Sequence, residues 1–181
     1  MVLNFDAYYL EPIHEKHAWG LCDFVTSNAD RLKRYFPLTL AANLTPELAT
    51  IFTHKKVKEF HTKEEFLFII RSNSEKNILG MVYLKELNWE TKQGELAYCI
   101  GYTEEGKGIA SKAVQNITDW TFKEHSLKTL QIIVHKTNVA SIKVAQKCNF
   151  TWQKTLPKEH TPPNENPLDM ELYERYNSTS K

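Results

Sequence analysis

Glu105-Gly106-Lys107-Gly108-Ile109-Ala110 places two glycines two positions apart, where an apolar strand pattern gives way to a helical one. Glycine takes up positive φ at no steric cost, so successive backbone N–H groups in such a turn can converge on one point. The unpaired N–H groups and the dipole of a helix start favour an anion there, and a pyrophosphate suits such a turn. The alternative is that the glycines only make a tight turn into the helix, and the short motif alone does not separate the two. Spacing excludes two other phosphate loops. A Rossmann turn needs a third glycine near position 111, where Ser111 stands, and GxxxxGK[ST] is absent. Lys143 and Lys147, four apart on one helix face, either meet a phosphate of the ligand or remain solvated. His14 and His17 have the spacing of a helical metal pair but no third ligand, so no metal is expected.

The elements around this turn follow from hydrophobic period. Phe5 to Leu10 reads as a strand, and Pro12 opens a helical stretch whose apolar face draws on Trp19, Leu21, Cys22, Phe24 and Val25. Residues 30–62 remain mostly helical, with Thr45-Pro46-Glu47 as an N-cap followed by proline at the first helical position. Phe66 to Ile70 and Ile78 to Leu84 form an antiparallel hairpin across a polar turn at 72–77, and Gly94 to Tyr102 adds a third strand. Ala110, Ala113, Val114, Ile117, Trp120 and Thr121 recur at helical spacing. Leu130 to Val134 is a short strand, and Asn138 to Lys147 a second amphipathic helix. Phe150 to Trp152 and Met170 to Tyr173 are the last strands, separated by a polar loop holding Pro157, Pro162, Pro163 and Pro167. The aromatic residues Trp19, Phe36, Phe52, Phe60, Phe66 and Phe68 are expected in the core rather than on a base-stacking surface.

With 181 residues, 41% of them hydrophobic, one domain over residues 1–176 is expected, followed by a frayed tail at 177–181. Lys plus Arg number 23 against 22 acidic residues, so nothing draws the chain as a whole to nucleic acid or an anionic membrane. Cys22, Cys99 and Cys148 are odd in number and form no CxxC pair, which argues against a disulfide framework and for a reducing, cytoplasmic setting. The N-terminus lacks a basic region followed by an apolar run, which reads as a soluble, unprocessed protein.

Glu105-x-x-Gly108-x-Ala110 resembles the acetyl-CoA signature Gln/Arg-x-x-Gly-x-Gly/Ala of the GNAT superfamily of N-acetyltransferases, with glutamate at the first position. Asn138-x-x-Ser141 followed by Ala145-Gln146-Lys147-Cys148-Asn149-Phe150 is similar to that family's Asn-x-x-Ala/Ser…Tyr-Glu-Lys-x-Gly-Phe block. Glu95-Leu96-Ala97-Tyr98-Cys99-Ile100 and Gly106 to Ser111 are similar to a strand and loop of its RimJ/RimL-like branch, which acetylates the N-termini of ribosomal proteins. The resemblance implies an α+β fold in three layers, with a mixed, mostly antiparallel twisted sheet of about seven strands flanked by helices. It implies acetyl-CoA as cofactor, coenzyme A as product, and an amine acceptor: a protein N-terminus, or a small molecule such as a polyamine, an antibiotic or an amino acid. Nucleic acid and membrane partners are not expected, and a monomer or a homodimer is.

Residue by residue, the resemblance assigns the pyrophosphate to the amides of Gly106, Lys107, Gly108, Ile109 and Ala110, with Ser111 beside them. Cys99, Ile100 and Gly101 lie on the strand whose amides hold the thioester carbonyl and pantetheine, next to a β-bulge near its end. Asn138 ties the pantetheine arm or the adjacent strand end, and Ser141 and Lys143 complete the cofactor contacts. Asn149 stands for a glycine and is expected in the left-handed conformation that ends a helix. The tyrosine that many members use to protonate the leaving thiolate falls at Ala145, which leaves Ser141, one turn earlier, as the acid. Direct attack through a tetrahedral intermediate also needs a base. Glu159 and Glu95 are the candidates, with His160 competing if the match slips by one residue. Glu95 is otherwise an ion-paired strand residue. Loss of the tyrosine also admits a module that binds acyl-CoA without catalysis.

Overall fold

The structure is a computed structural model describing residues 1–74 and 77–178. Part of the expected turn at 72–77 and the last three residues of the expected tail lie outside the described residues. Among the described residues eight strands form one sheet rather than about seven, because the first expected strand is a hairpin. β1 (Leu3–Phe5) and β2 (Tyr8–Pro12) are joined by Asp6 and Ala7, with Phe5 opposite Tyr8 and Asp6 at φ 49°. Aspartate tolerates that conformation in a two-residue hairpin turn.

Pro12 therefore ends a strand instead of starting a helix. A short 3-10 turn at Glu15–His17 follows, in which His14 and His17 cap one another: the Lys16 amide donates to His14 Nδ1 at 3.1 Å and the His14 amide to His17 Nδ1 at 3.0 Å. His17 Nε2 meets Glu11 Oε1 at 3.0 Å, so both histidines serve to turn the chain. Four helices come next: α1 (Ala18–Ser27), α2 (Ala29–Tyr35), α3 (Pro37–Ala41) and α4 (Pro46–Thr62). Thr45 Oγ1 accepts from the Leu48 amide at 3.3 Å with Pro46 at the first position, as the sequence predicts. Trp19 departs from expectation, since it is 73% exposed and takes no part in the apolar face of α1.

The remaining elements are β3 (Phe66–Ser72), β4 (Ile78–Asn88), β5 (Gln93–Ile100), α5 (Ile109–His125), β6 (Thr129–Val134), α6 (Val139–Lys147), β7 (Thr151–His160) and β8 (Leu168–Tyr176). Spatial order is β1-β2-β3-β4-β5-β6-β8-β7, antiparallel throughout except for β5 and β6, which α5 connects as a crossover. β7 runs through Pro157 to His160, beyond the three residues expected. It is an edge strand, where a missing N–H costs no ladder bond. Asn177, expected in the frayed tail, is held: its amide donates to Lys128 O at 2.9 Å and its side chain to Leu127 O at 3.2 Å.

The sheet carries a core on each face. Phe66, Phe68, Ile70, Leu84, Leu96 and Ile100 pack with Ile109, Ala113, Val114 and Ile117 of α5 and with Ala145 of α6. Leu67, Ile69, Met81, Tyr83 and Cys99 pack on the other face with Leu21, Phe24, Val25, Leu32 and Phe52. β3 feeds both, which is why Phe66 to Ile70 reads as an unbroken apolar run. Each large side chain buried here contributes about 1.5–3 kcal/mol. Phe60, Phe66, Phe68 and Trp120 interlock edge to face with ring centroids 4.9 to 5.3 Å apart, so these aromatics are core. Among the described residues no helix is long and apolar enough to cross a membrane.

Candidate active site

β5 and β6 pair only at Gln93–Thr129, Gly94–Leu130 and Glu95–Gln131, although both strands run on. Past Glu95, β5 keeps its ladder with β4 but has none with β6. A cleft of about 1170 Å³ opens at this parting, bounded by residues 95–100 of β5, 132–134 of β6, the start of α5 and the first turns of α6. The opening arises from the separation of two parallel strands rather than from the bulge expected near the end of β5. The one register shift between β4 and β5 lies at the far end, between Lys85 and Asn88.

At one end of the cleft Gly106 and Gly108 take φ 78° and 77°, and a Cβ on either would meet nothing within 4 Å. Conformation, not space, therefore demands glycine at these positions. Lys112 is the first residue of α5 whose amide finds a backbone acceptor at the helix start, Gly108 O at 3.2 Å. The amides of residues 106–111 make no hydrogen bond among the described residues, so the turn presents a run of free donors at a helix N-terminus. Glu105, the departure from the signature, is bound to Arg31 Nη1 of α2 at 2.9 Å, and that guanidinium also lies 4.8 Å over the Tyr102 ring. The carboxylate next to the glycine turn is thus paired with a cation. Arg31→Ala is expected to weaken acetyl-CoA binding about two- to fivefold at low salt. Glu105→Gln in the same background should restore it, as titration at two ionic strengths would show.

The first turn of α6 forms another wall. Asn138 is its N-cap: Oδ1 accepts from the Ser141 amide at 3.2 Å. Asn149, at φ 61°, ends the helix in the left-handed conformation, and the Phe150 amide closes back on Ala145 O at 3.0 Å. Ala145, where the resemblance would put a tyrosine, is fully buried in the core. Ser141 is therefore the one hydroxyl that α6 offers to the cleft. Lys143 and Lys147 line it too.

Glu95 leaves β5 on the opposite face of the sheet from Leu96, Tyr98 and Ile100, toward α1–α4. Its carboxylate meets Lys85 Nζ at 2.9 Å, the residue directly opposite on β4. Burial pushes the Glu95 pKa up, and the charges of Glu86 and Glu159 add to this while Lys85 opposes it. Glu159 and His160 both reach the cleft because the β7–β8 register shifts between Leu156 and His160, with Lys158 at φ 55°. His160 Nε2 donates to Arg34 O at 2.8 Å, which fixes that ring as a brace to α2. Glu159 makes no ion pair among the described residues.

Of the residues singled out in the sequence, Glu95, Cys99, Ile100, Gly106, Gly108, Ile109, Ala110, Ser111, Asn138, Ser141, Lys143 and Glu159 line this one cleft. Gly101 and Lys107 do not. The Gly101 amide is already spent on Leu79 O at 2.9 Å, and the Lys107 side chain turns to Glu104 at 3.1 Å. Burial also pushes the Cys99 thiol up to about 11, so it stays protonated at neutral pH. Sequence reading missed Tyr98, whose hydroxyl donates to Ser141 O at 3.0 Å, together with Lys85 and Arg31. Lys85 was recoverable from the register of the β4–β5 hairpin. Arg31 lies 74 positions from Glu105 and left no local signal.

The chain belongs to the GNAT acetyltransferase family, whose domain model, described as an acetyltransferase (GNAT) domain, matches residues 8–151. It is similar to the spermidine N(1)-acetyltransferase of Escherichia coli, with 30% identity over 102 residues, 56% of this chain and 54% of that protein. The chain thus matches about half the length of that relative. Its fold is similar to that of a ribosomal-protein-alanine acetyltransferase from Vibrio fischeri, with TM-score 0.92 and 23% identity over 100% of this chain and 99% of that one. It also resembles RimL, a ribosomal-protein alpha-N-acetyltransferase solved with coenzyme A, with TM-score 0.88 and 17% identity over 97% and 98% of the two chains.

Proposed function

We propose that the cleft binds acetyl-CoA and passes its acetyl group to the α-amine of a protein N-terminus. The observation that carries the donor half is the junction of a free amide turn at residues 106–111 with the unpaired edge of β5 past Glu95. The turn suits a diphosphate, and the strand edge suits the amides of a pantetheine arm, so the residues present fit the cofactor. When bound, acetyl-CoA supplies an acyl group activated as a thioester. The chain's own groups do the rest. Backbone N–H groups of β5 orient the carbonyl. Glu159, without an ion pair, holds the incoming ammonium. Glu95, whose pKa is raised by burial, takes the proton from that nitrogen. Ser141 Oγ gives its proton to the departing sulfur and regains one from the attacking nitrogen as the amide forms.

The acceptor half rests on charge. Of the carboxylates lining the cleft, Glu65 is bound by Lys56 Nζ at 2.6 Å, Glu95 by Lys85, Glu104 by Lys107 and Glu105 by Arg31, which leaves Glu159 to meet a single cation. The mouth beyond carries exposed apolar side chains, Leu38 at 85% and Ile51 at 69% beside Leu48, and the charged groups there, Lys55 and Lys56, are cations. One ammonium followed by uncharged chain describes a peptide N-terminus better than a polyamine. The spermidine acetyltransferase relative favours the second reading, a polyamine acceptor. A thiol-release assay separates them: N-terminal peptides of ribosomal proteins should give the higher kcat/KM, and a preference for spermidine would overturn the acceptor assignment while keeping the donor one.

A pH profile tests the base. Only ionised Glu95 accepts a proton, so kcat/KM should fall as pH drops through a pKa above the ordinary carboxylate range. Lys85→Met removes the group that opposes this rise and should move the acid limb to still higher pH. An unmoved limb would take the base away from Glu95.

A further inference from the structure

Ser141 is held from both ends. Its amide is fixed by Asn138 Oδ1 at 3.2 Å, and its carbonyl oxygen, besides its place in the helix ladder, accepts the Tyr98 hydroxyl at 3.0 Å. Tyr98 lies on β5 three residues past the last one paired with β6, so its phenol spans the mouth of the strand parting to reach α6. Leu96 and Ile100 on the same face are buried in the core beneath α5 and α6, which fixes the direction of the ring between them. Nothing else in β5 bonds to α6 among the described hydrogen bonds.

We propose that Tyr98 is a positioning residue for acetyl transfer: by anchoring the Ser141 carbonyl to β5, it sets the distance between the Ser141 hydroxyl and the acyl group that β5 holds. This rests on the reading of Ser141 as the proton donor. The logic is geometric. β5 carries the amides that orient the acyl carbonyl and α6 carries the acid, while the ladder that would tie β5 to β6 ends at Glu95. A bond from Tyr98 to Ser141 restores, at the reacting end, the connection that the parting removes. Burial raises the phenol's pKa, so it remains a donor across the working range. Proton transfer tolerates little misplacement, and loosening one hydrogen bond to the acid's own backbone is felt in the transition state more than in binding.

Tyr98→Phe keeps the ring and removes the anchor. It is expected to lower kcat about three- to tenfold. KM for acetyl-CoA and for the peptide and the acid limb of the pH profile should stay where they are, whereas loss of a merely structural contact would show in the melting temperature and leave kcat unchanged. Because the anchor acts through Ser141, Tyr98→Phe combined with Ser141→Ala should be no slower than Ser141→Ala alone. Losses that multiply in the double variant, or an unchanged kcat in Tyr98→Phe, would overturn the proposal. Wild-type kcat in Ser141→Ala would instead overturn the reading on which it rests. In that case a collapse of kcat in Tyr98→Phe would move the proton donor to the phenol itself.

Discussion

Replacing Ser141 with alanine is expected to lower kcat about 10²- to 10⁴-fold, the usual worth of a positioned general acid, while the Kd for acetyl-CoA shifts far less. The reasoning is local. Ser141 is the one hydroxyl that α6 turns toward the cleft, and Ala145 one turn later is sealed in the core. The Ser141 amide and carbonyl, not its side chain, make the recorded hydrogen bonds, so alanine there costs no cap and suits a helix. Loss of activity therefore reports chemistry rather than unfolding. Installing the tyrosine by Ala145→Tyr should not rescue the variant. A side chain of that size overpacks a fully buried position at a cost of about 1–3 kcal/mol, which a melting curve would register. Steady-state kinetics alongside calorimetric titration of acetyl-CoA checks the first prediction, and an active Ser141→Ala protein would refute it.

The second large effect belongs to the donor turn. Gly108→Val should raise the Kd for acetyl-CoA about tenfold or more, since a β-branched residue at φ 77° meets a conformational penalty of about 1–2 kcal/mol even where there is room for it. The turn can escape that strain only by rotating away, and rotation moves the unpaired amides of residues 106–111. Because a Cβ at Gly108 would meet no neighbour within 4 Å, neither core should be disturbed. A lowered affinity with near-native spectra is the expected pattern. Unchanged affinity would mean that the turn does not hold the diphosphate.

What was legible in the sequence had local causes. Asn149 was expected to adopt positive φ because asparagine tolerates it at a helix end, and it does, at 61°. The glycine turn was recognisable because Gly106 and Gly108 fall at a strand-to-helix junction, and Thr45-Pro46 signalled α4 through capping chemistry alone. Where tertiary position overrides propensity, the reading fell short. Pro157 counts against a strand in general but not on an edge, so β7 and the bulge that turns Glu159 and His160 toward the cleft were shortened to a loop. The gap between β5 and β6 depends on where a parallel ladder stops, which no residue pattern marks. Contacts across distant elements, Arg31 with Glu105 and Tyr98 with Ser141, shape the site without leaving a spacing to find. Glu105 looked like a defect in the signature until its partner was visible.

Calorimetric titration of acetyl-CoA into the intact chain tests the central claim most directly. Saturable binding at one site, weakened by Gly108→Val and by Arg31→Ala, is the predicted result. An absence of binding to the wild-type chain would contradict the assignment of the turn at residues 106–111 and, with it, the transfer chemistry built upon it.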